Sequence, residues 1–199
     1  MELLAIPGAE IYYDPHFLAD EEAAPAFDVL SRKCAWQRRK ASFGHDVPRD
    51  EAYYGDAGTE YTYSKRQYEA LPWIPELLSL KILVEEATPT VAFANLGLQK
   101  LPYNAVLCNF YRDGNDSVAL HADAEPEMGP VIASLSLGAE RTFRLRRKNG
   151  ALVFSERLPH GSLLIMAGAT QKHFKHEVPK EPSVGQPRIN LTFRRIEHR

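Results

Sequence analysis

The spacing of apolar positions predicts helices in the first half of the chain. From residue 74 to about residue 87, apolar side chains recur three or four positions apart, which is typical of an amphipathic helix. The predicted apolar face consists of Ile74, Leu77, Leu78 and Ile82. An earlier helix is predicted from Asp20, which suits an N-cap, to about Lys33, with acidic residues near its positive end.

Short strands and one long irregular stretch are predicted around these helices. Residues 10–13 predict a strand, and residues 36–42 predict a second strand with a polar, basic face. Residues 43–64 are rich in Gly, Asp and Tyr and lack helical periodicity, so we expect loops there. Loops on a rigid scaffold commonly carry binding groups.

The second half of the chain changes to short apolar runs separated by turn residues, which is the pattern of β-strands. The predicted strands are residues 105–111, 130–137, 141–147, 152–158, 162–167 and 187–196. Several short strands after two helices predict an α+β protein whose core is a β-sandwich or jelly roll.

Composition places the chain among ordinary globular proteins. Its 199 residues suit a single domain over residues 1–199, with 44% apolar and 25% charged residues. No apolar run reaches transmembrane length, so we expect no membrane partner, and residues 1–7 lack the features of a signal peptide. Cys34 and Cys108 are too few for a disulfide framework, and we expect two buried thiols in a cytoplasmic protein.

The net charge of −2 argues against an all-round basic coat for nucleic acid, but not against a local one. The basic residues that cluster are Arg141, Arg144, Arg146, Arg147 and Lys148, with Arg194, Arg195 and Arg199 near the end of the chain. Each one suits a solvated strand face. As a set, they could form a rim that contacts phosphates.

The most informative stretch is residues 109–123, which ends in His121-Ala122-Asp123. Alternate side chains of an extended segment point the same way, so His121 and Asp123 would converge. With a second histidine they would form the 2-His-1-carboxylate triad of non-heme Fe(II) oxygenases, which leaves positions open for substrate and O₂. The pair alone is a weak signal, because such a pair is more often part of a solvated loop or a cap.

The third ligand should come from a downstream strand. The candidates are His160, which precedes a glycine at a predicted turn and suits a surface role, and the neighbouring pair His173 and His176. The residues themselves do not separate His173 from His176.

A second unusual pattern lies near the C-terminal end, where residues 188–194 read as a strand. Its polar face consists of Arg188, Asn190, Thr192 and Arg194, and its other face is apolar. Two guanidinium groups are costly to bury without anionic partners, so the strand either lies at a solvated edge or faces an anion. A dicarboxylate cosubstrate that also chelates the metal would satisfy such a face. Asn109 and Tyr111 share one face of an earlier strand and could contact the same ligand.

Together these motifs resemble the AlkB family of Fe(II)/2-oxoglutarate-dependent dioxygenases, and most of all its duplex-DNA repair branch. The shared pattern is Asn-x-Tyr, His-x-Asp, a distant His-x-x-Pro and Pro-Arg-x-Asn-x-Thr-Phe-Arg. Other segments that resemble this branch are residues 47–49, 54–58, 61–64, 72–75 and 132–138. The resemblance implies a double-stranded β-helix (jelly-roll) core over about residues 105–196, with N-terminal helices and a nucleotide-recognition hairpin lid over about residues 40–70.

The resemblance also implies a role for each motif residue. The implied Fe(II) ligands and catalytic residues are His121, Asp123 and His176, since the family motif selects the histidine that begins His-Glu-Val-Pro. Arg188 matches the arginine that pairs with the distal carboxylate of 2-oxoglutarate, and Arg194 matches its second arginine. Asn109, Tyr111, Asn190 and Thr192 match positions that line the cosubstrate.

The implied activity is oxidative demethylation of N-alkylated bases such as 1-methyladenine and 3-methylcytosine in DNA, with RNA as an alternative. The implied cofactors are Fe(II) and 2-oxoglutarate, with O₂ as cosubstrate. A methyl group on the pairing edge of a base is unreachable inside a duplex, so the nucleotide must be flipped out. The residues that match substrate-contacting positions are Phe43, Gly44, Tyr61, Thr62, Tyr63 and Glu125.

The chain departs from the repair branch at two places. Ala124 stands where that branch has a second acidic residue after the metal motif, and the segment after Phe43 is shorter, with His45 in place of a lysine. Two alternatives therefore stay open: a 2-oxoglutarate-dependent hydroxylase of another substrate, or a catalytically impaired nucleic-acid-binding homologue. We expect a monomer.

Overall fold

Two antiparallel sheets that pack face to face form the core of this computed structural model. The structure describes residues 1–40, 44, 46–63 and 66–197, with residues 61–63 and 66–68 described through their backbone only. The larger sheet has eight strands, in the spatial order β1 (Glu2–Leu3), β2 (Glu10–Asp14), β12 (Leu163–Ala167), β9 (Ile132–Gly138), β14 (Arg188–Arg194), β7 (Ala105–Tyr111), β4 (Asp46–Gly55) and β3 (Gln37–Lys40).

The smaller sheet has four strands, in the order β11 (Leu152–Leu158), β10 (Arg141–Arg147), β13 (Phe174–Val178) and β8 (Val118–His121). A separate two-stranded sheet pairs β5 (Tyr61–Tyr63) with β6 (Arg66–Tyr68). The helices are α1 (Asp20–Lys33), α2 (Pro75–Ala87), α3 (Val91–Ala94) and α4 (Thr170–His173). None of the described helices is long and apolar enough to cross a membrane.

The larger sheet is covered on both faces, which explains the composition of its central strands. On one face, apolar residues of β9 and β14, such as Leu135 and Leu191, join a core cluster with Leu30 of α1 and Leu77 of α2. On the other face, a second cluster joins the larger sheet to Phe143 and its neighbours in the smaller sheet. Because side chains alternate along a strand, the polar residues of β14 must then face the smaller sheet.

The predicted α+β fold with a jelly-roll core is confirmed. Strands β7, β10 and β11 have the predicted bounds, and β9, β12 and β14 differ from them by one or two residues. The apolar pattern did not predict β8 and β13, which are only four and five residues long, and β13 has polar residues between its apolar ones. Cys34 and Cys108 are free and buried, as expected.

The expectation of loops throughout residues 43–64 is wrong for β4. This ten-residue strand pairs with β7 from Asp50 opposite Phe110 to Gly55 opposite Ala105. Tyr53 and Tyr54 lie in its buried half. The turn-forming residues of this segment predict loops. The strand forms nevertheless, because its hydrogen bonds go to β7, which lies in a distant part of the chain.

The face that α2 buries also differs from the predicted one. Leu77, Leu80 and Val84 are buried, whereas Leu78 is 39% and Ile82 is 53% exposed. The helix has apolar residues on two faces, and packing against the sheet and α1 selects between them.

In α1, Asp20 is the first helical residue rather than the N-cap. Ala19 precedes it, and the Glu22 carboxylate accepts a hydrogen bond from the Ala19 N–H.

Two adjacent leucines of α2 test this orientation. We expect Leu77→Ala to lower the free energy of unfolding by about 2–5 kcal/mol, because it removes a fully buried side chain from the core. Leu78→Ala is the matched control and should change that free energy by no more than about 0.5 kcal/mol. Urea denaturation followed by circular dichroism measures both values. Equal losses would mean that the helix buries the predicted face after all.

Candidate active site

Strands β8 and β13 bring three candidate metal ligands together. His121 ends β8 and lies directly opposite His176 of β13, with 4.2 Å between the ring centroids. Asp123 follows two residues after His121. One ligand atom from each of the three side chains lies within 4.8 Å of the others. Among the described residues, this is therefore a compact site with the donor set that suits Fe(II) in non-heme oxygenases.

The structure brings His176 to His121 and leaves the other two candidate histidines elsewhere. His173 is exposed at the end of α4. His160 was expected to have a surface role, but its Nδ1 accepts a hydrogen bond of 2.7 Å from the Gly138 N–H and so supports a turn. The distinction between His173 and His176 therefore comes from strand register, which places only the second of them opposite His121.

Local hydrogen bonding prepares His121 as a ligand. Its Nδ1 lies 2.9 Å from the carbonyl oxygen of Ala119 and must carry a proton, because that oxygen can only accept. The other ring nitrogen, Nε2, keeps its lone pair and lies 3.6 Å from Asp123 Oδ1. This arrangement, in which a carbonyl fixes the tautomer of the ring, is typical of metal-binding histidines.

The charge states of the other two ligands also suit a metal. Burial opposes ionisation of Asp123, but the guanidinium of Arg194 and the two imidazoles outweigh it and lower its pKa to about 2. Arg194 Nη2 donates a hydrogen bond of 2.9 Å to Asp123 Oδ2. Burial and the neighbouring His121 lower the pKa of His176 to about 3. At neutral pH the site therefore offers a carboxylate and neutral imidazole, the forms that bind metal ions.

The polar face of β14 points into a cavity between the two sheets, next to the metal ligands. The alternative that β14 is a solvated edge strand is wrong, because it lies between β9 and β7. All four polar side chains are buried; the exposed fractions are 1% for Arg188, 7% for Asn190, 7% for Thr192 and 3% for Arg194.

Arg188 is the strongest indication of an anionic ligand in this cavity. Its Nη2 donates to Ser136 Oγ at 2.9 Å. Its Nε and Nη1 are buried and have no hydrogen-bond partner among the described residues. Unpaired buried donors on a permanent cation are costly, and the oxygens of an anionic ligand in the cavity could accept hydrogen bonds from them. The ring of Tyr111 lies under this guanidinium, 5.1 Å from Cζ to the ring centroid.

Three further predicted residues line the same cavity, but protein groups already engage them. Asn190 Nδ2 donates to Ser134 Oγ at 2.8 Å, and Thr192 Oγ1 lies 3.1 Å from Asn190 Oδ1. Asn109 Oδ1 accepts a hydrogen bond of 2.6 Å from Arg49 Nε. These groups can hold the wall of the cavity in place, whereas two donors of Arg188 have no hydrogen-bond partner within the described ranges.

Sequence reasoning missed Arg49 as a residue of the site. It lies on β4, lines the cavity and forms a buried ion pair of 2.5 Å with Glu51. Its place at the end of Val47-Pro48-Arg49, one of the segments with a family resemblance, was the available signal. The loop expectation for this stretch hid the fact that Arg49 and Glu51 share one strand face.

The predicted substrate-contacting residues are not brought together by any described side-chain contact. Phe43 lies outside the described residues, as do the side chains of Tyr61, Thr62 and Tyr63, whose backbone forms β5. Gly44 has a φ of 83° and no atom within 4 Å of an added Cβ. Glu125 is half-buried; its Oε2 has no hydrogen-bond partner among the described residues, and burial raises its pKa.

The hypothesis of a phosphate-contacting rim is wrong for two of its arginines. Arg141 is 1% exposed and donates to the carbonyl oxygens of Asp116 and Pro179. Arg194 is engaged with Asp123, as described above. Arg199 lies outside the described residues.

The predicted basic face of β3 is paired with acidic residues. Carboxylates of β4 form an ion pair with each of its cations; the pairs are Arg38–Asp50, Arg39–Glu51 and Lys40–Asp46.

Comparison with known proteins agrees with this donor set. A family profile described as the 2OG-Fe(II) oxygenase superfamily matches residues 10–194. The chain is 43% identical over 197 residues to the alpha-ketoglutarate-dependent dioxygenase alkB homolog 3 of Mus musculus, covering 92% of this chain and 64% of that protein. It is 41% identical over 162 residues to the DNA oxidative demethylase ALKBH2 of Homo sapiens, covering 76% of this chain and 58% of that protein.

A solved structure supports the fold. The structure of OsALKBH1 superposes with a TM-score of 0.68 at 19% identity, covering 98% of this chain and all of that one. The chain therefore belongs to the 2OG-Fe(II) oxygenase superfamily, within its AlkB family. The chain spans less than two thirds of the length of the mouse alkB homolog 3 and of the human ALKBH2.

The two histidines near α4 provide a direct test of the metal centre. We expect His176→Ala to abolish Fe(II) binding, because it removes one of three ligands. His173→Ala should leave binding within about twofold, because an exposed side chain outside the site contributes little. Anaerobic calorimetric titration of the metal-free proteins with Fe(II) gives both affinities. An equal loss in the two variants would refute the ligand assignment.

Proposed function

We propose that this chain is an Fe(II)/2-oxoglutarate-dependent oxidative demethylase of N-alkylated bases in DNA. One observation carries the proposal: a 2-His-1-carboxylate cluster lines the same cavity as an arginine with two buried donors that have no hydrogen-bond partner in the described part of the chain. The relatives, which include a DNA oxidative demethylase, supply the substrate class. We take 1-methyladenine and 3-methylcytosine as the lesions.

In this proposal each residue of the cavity has a defined role. His121, Asp123 and His176 hold Fe(II), and Arg194 keeps the Asp123 carboxylate ionised and oriented. The bound iron supplies the oxidising chemistry with O₂ and 2-oxoglutarate. Arg188 binds the distal carboxylate of 2-oxoglutarate. The remaining wall of the cosubstrate pocket is formed by Asn109, Tyr111, Asn190 and Thr192.

The overall reaction balances without another reductant. One O₂ and one 2-oxoglutarate convert the N-methyl group to N-hydroxymethyl, with release of succinate and CO₂. The hydroxymethyl product then loses formaldehyde, which restores the unmodified base. The protein has to exclude water and hold the base against the site, which requires a flipped nucleotide.

Substrate recognition is assigned to the segment before the core. In this proposal the parts of residues 40–70 outside β4 form a lid over the catalytic core of residues 105–196. Its contacts to the flipped base come from Phe43, Gly44, Tyr61, Thr62 and Tyr63, with Glu125 contacting the base from the core side. Aromatic rings are suited to this task because every base has a stacking face.

We extend the proposal to the state and location of the protein. We propose that it acts as a monomer in the cytoplasm, on DNA in the first place and on RNA in the second. Two free buried thiols suit a reducing compartment. Size-exclusion chromatography with light scattering tests the oligomeric state.

Arg188→Lys tests the cosubstrate site. The lysine keeps the charge but loses the two-pronged geometry, so we expect 2-oxoglutarate affinity to fall about 10- to 100-fold, since a charge-assisted hydrogen bond contributes about 1.5–3 kcal/mol. Anaerobic calorimetry on the metal-loaded protein measures this affinity. The matched control is Arg32→Lys on the exposed surface of α1, which should bind like the wild type. Unchanged affinity of the Arg188 variant would place the cosubstrate elsewhere.

The activity itself is tested with oligonucleotides that contain 1-methyladenine or 3-methylcytosine. Incubation with Fe(II), 2-oxoglutarate and O₂ should release formaldehyde, succinate and the unmodified base in equal amounts, and His176→Ala should release none. Single-stranded, duplex and RNA substrates tested side by side rank the preferred nucleic acid. Succinate formation on another substrate without base repair would favour a hydroxylase of a different class. Binding of nucleic acid without any turnover would favour the impaired homologue.

A further inference from the structure

The backbone of the metal ligand Asp123 lies outside any strand ladder. Strand β8 ends at His121, and residues 122–125 have no regular structure. Asp123 is nevertheless 4% exposed, so its N–H group needs a partner inside the protein. That partner is Gln171 of α4, whose Oε1 accepts the hydrogen bond at 3.0 Å. A single side chain from a distant part of the sequence thus holds the main chain of the ligand.

Gln171 is itself held in one orientation. It is 8% exposed, and its Nε2 lies 3.2 Å from Met166 Sδ in β12, so the nitrogen end of the amide faces an acceptor and the oxygen end faces a donor. The helix that carries it is also fixed. Thr170 Oγ1 accepts a hydrogen bond of 2.9 Å from the Glu10 N–H and lies 3.2 Å from the Glu10 carbonyl oxygen.

Two independent contacts therefore meet at Asp123. Arg194 holds the carboxylate from the larger sheet, and Gln171 holds the main chain from α4. If Arg194 were the only contact, the Asp123 main chain could shift toward the guanidinium together with the carboxylate. A metal site needs its ligands within about 0.5 Å of the productive geometry, which a single contact at one end of the side chain does not ensure.

We propose that Gln171 is a positioning residue of the metal centre, which fixes the Asp123 main chain so that its carboxylate and His121 present their donor atoms together. This inference rests on the proposed Fe(II) site but adds a residue to it. Gln171 is not among the residues that line the cavity, so it acts only through Asp123.

The test measures Co(II) affinity of the metal-free protein by absorption titration, without cosubstrate or nucleic acid. Gln171→Leu and Gln171→Met both remove the acceptor oxygen and replace the amide with an apolar side chain of similar size, which suits a buried position. We expect each to weaken Co(II) binding about 10- to 100-fold, the usual effect of losing a group that orients a metal ligand. Gln171→Glu retains the acceptor oxygen and should bind Co(II) nearly as tightly as the wild type.

Lys172→Ala is the control from the same helix, because this side chain is exposed. It should leave Co(II) affinity unchanged. The thermal midpoint of each metal-free protein shows whether it is still folded at the temperature of the titration. Loss of the acceptor leaves the Asp123 N–H unpaired and should lower the midpoint, and the positioning role predicts weaker Co(II) binding by protein that is still fully folded. Unchanged affinity in the two acceptor-free variants would overturn the proposal, as would an equal loss in Gln171→Glu or failure of both acceptor-free variants to fold. Failure of the wild-type protein to bind Co(II) would overturn the metal centre itself.

Discussion

The buried ion pair between Arg194 and Asp123 is the interaction on which the site depends. It joins the central strand of the larger sheet to the segment that follows the smaller sheet. Both side chains are almost fully buried, and removal of one partner from such a pair typically costs about 3–5 kcal/mol. The same contact keeps Asp123 ionised against the effect of burial. This contact therefore contributes both to folding and to the ionisation of a metal ligand.

The alternation of side chains along β14 determines which groups line the cavity. Ile189, Leu191 and Phe193 pack beneath the helices, which directs the polar residues between them toward the smaller sheet. A polar face in the middle of a protein is stable only if its groups find partners. Asn190 and Thr192 are hydrogen-bonded to each other, and Asn190 also to Ser134, whereas two donors of Arg188 have no partner among the residues that the structure describes. The alternating pattern of β14 therefore supplies apolar residues to the core and at the same time places Arg188 where an anion would stabilise it.

The sequence allowed prediction of those parts that depend on local pattern. Short strand-forming runs bounded by turn residues, such as β7 and β10, have the bounds that the sequence predicts, and the spacing of His121 and Asp123 indicates a pair of ligands. Long-range choices were not predictable from residues alone. The register of β13 opposite β8 decides between His173 and His176, and the neighbours of β14 decide whether its arginines are buried. The apolar face of α2 and the strand that carries Arg49 likewise depend on what packs against them.

The ion pairs between β3 and β4 have a consequence for association with a polyanion. Cations that already have carboxylate partners displace few condensed counterions when they approach a phosphate backbone. Arg38, Arg39 and Lys40 are in this state. If the chain binds nucleic acid as proposed above, these three cations would therefore add little to the dependence of that affinity on ionic strength.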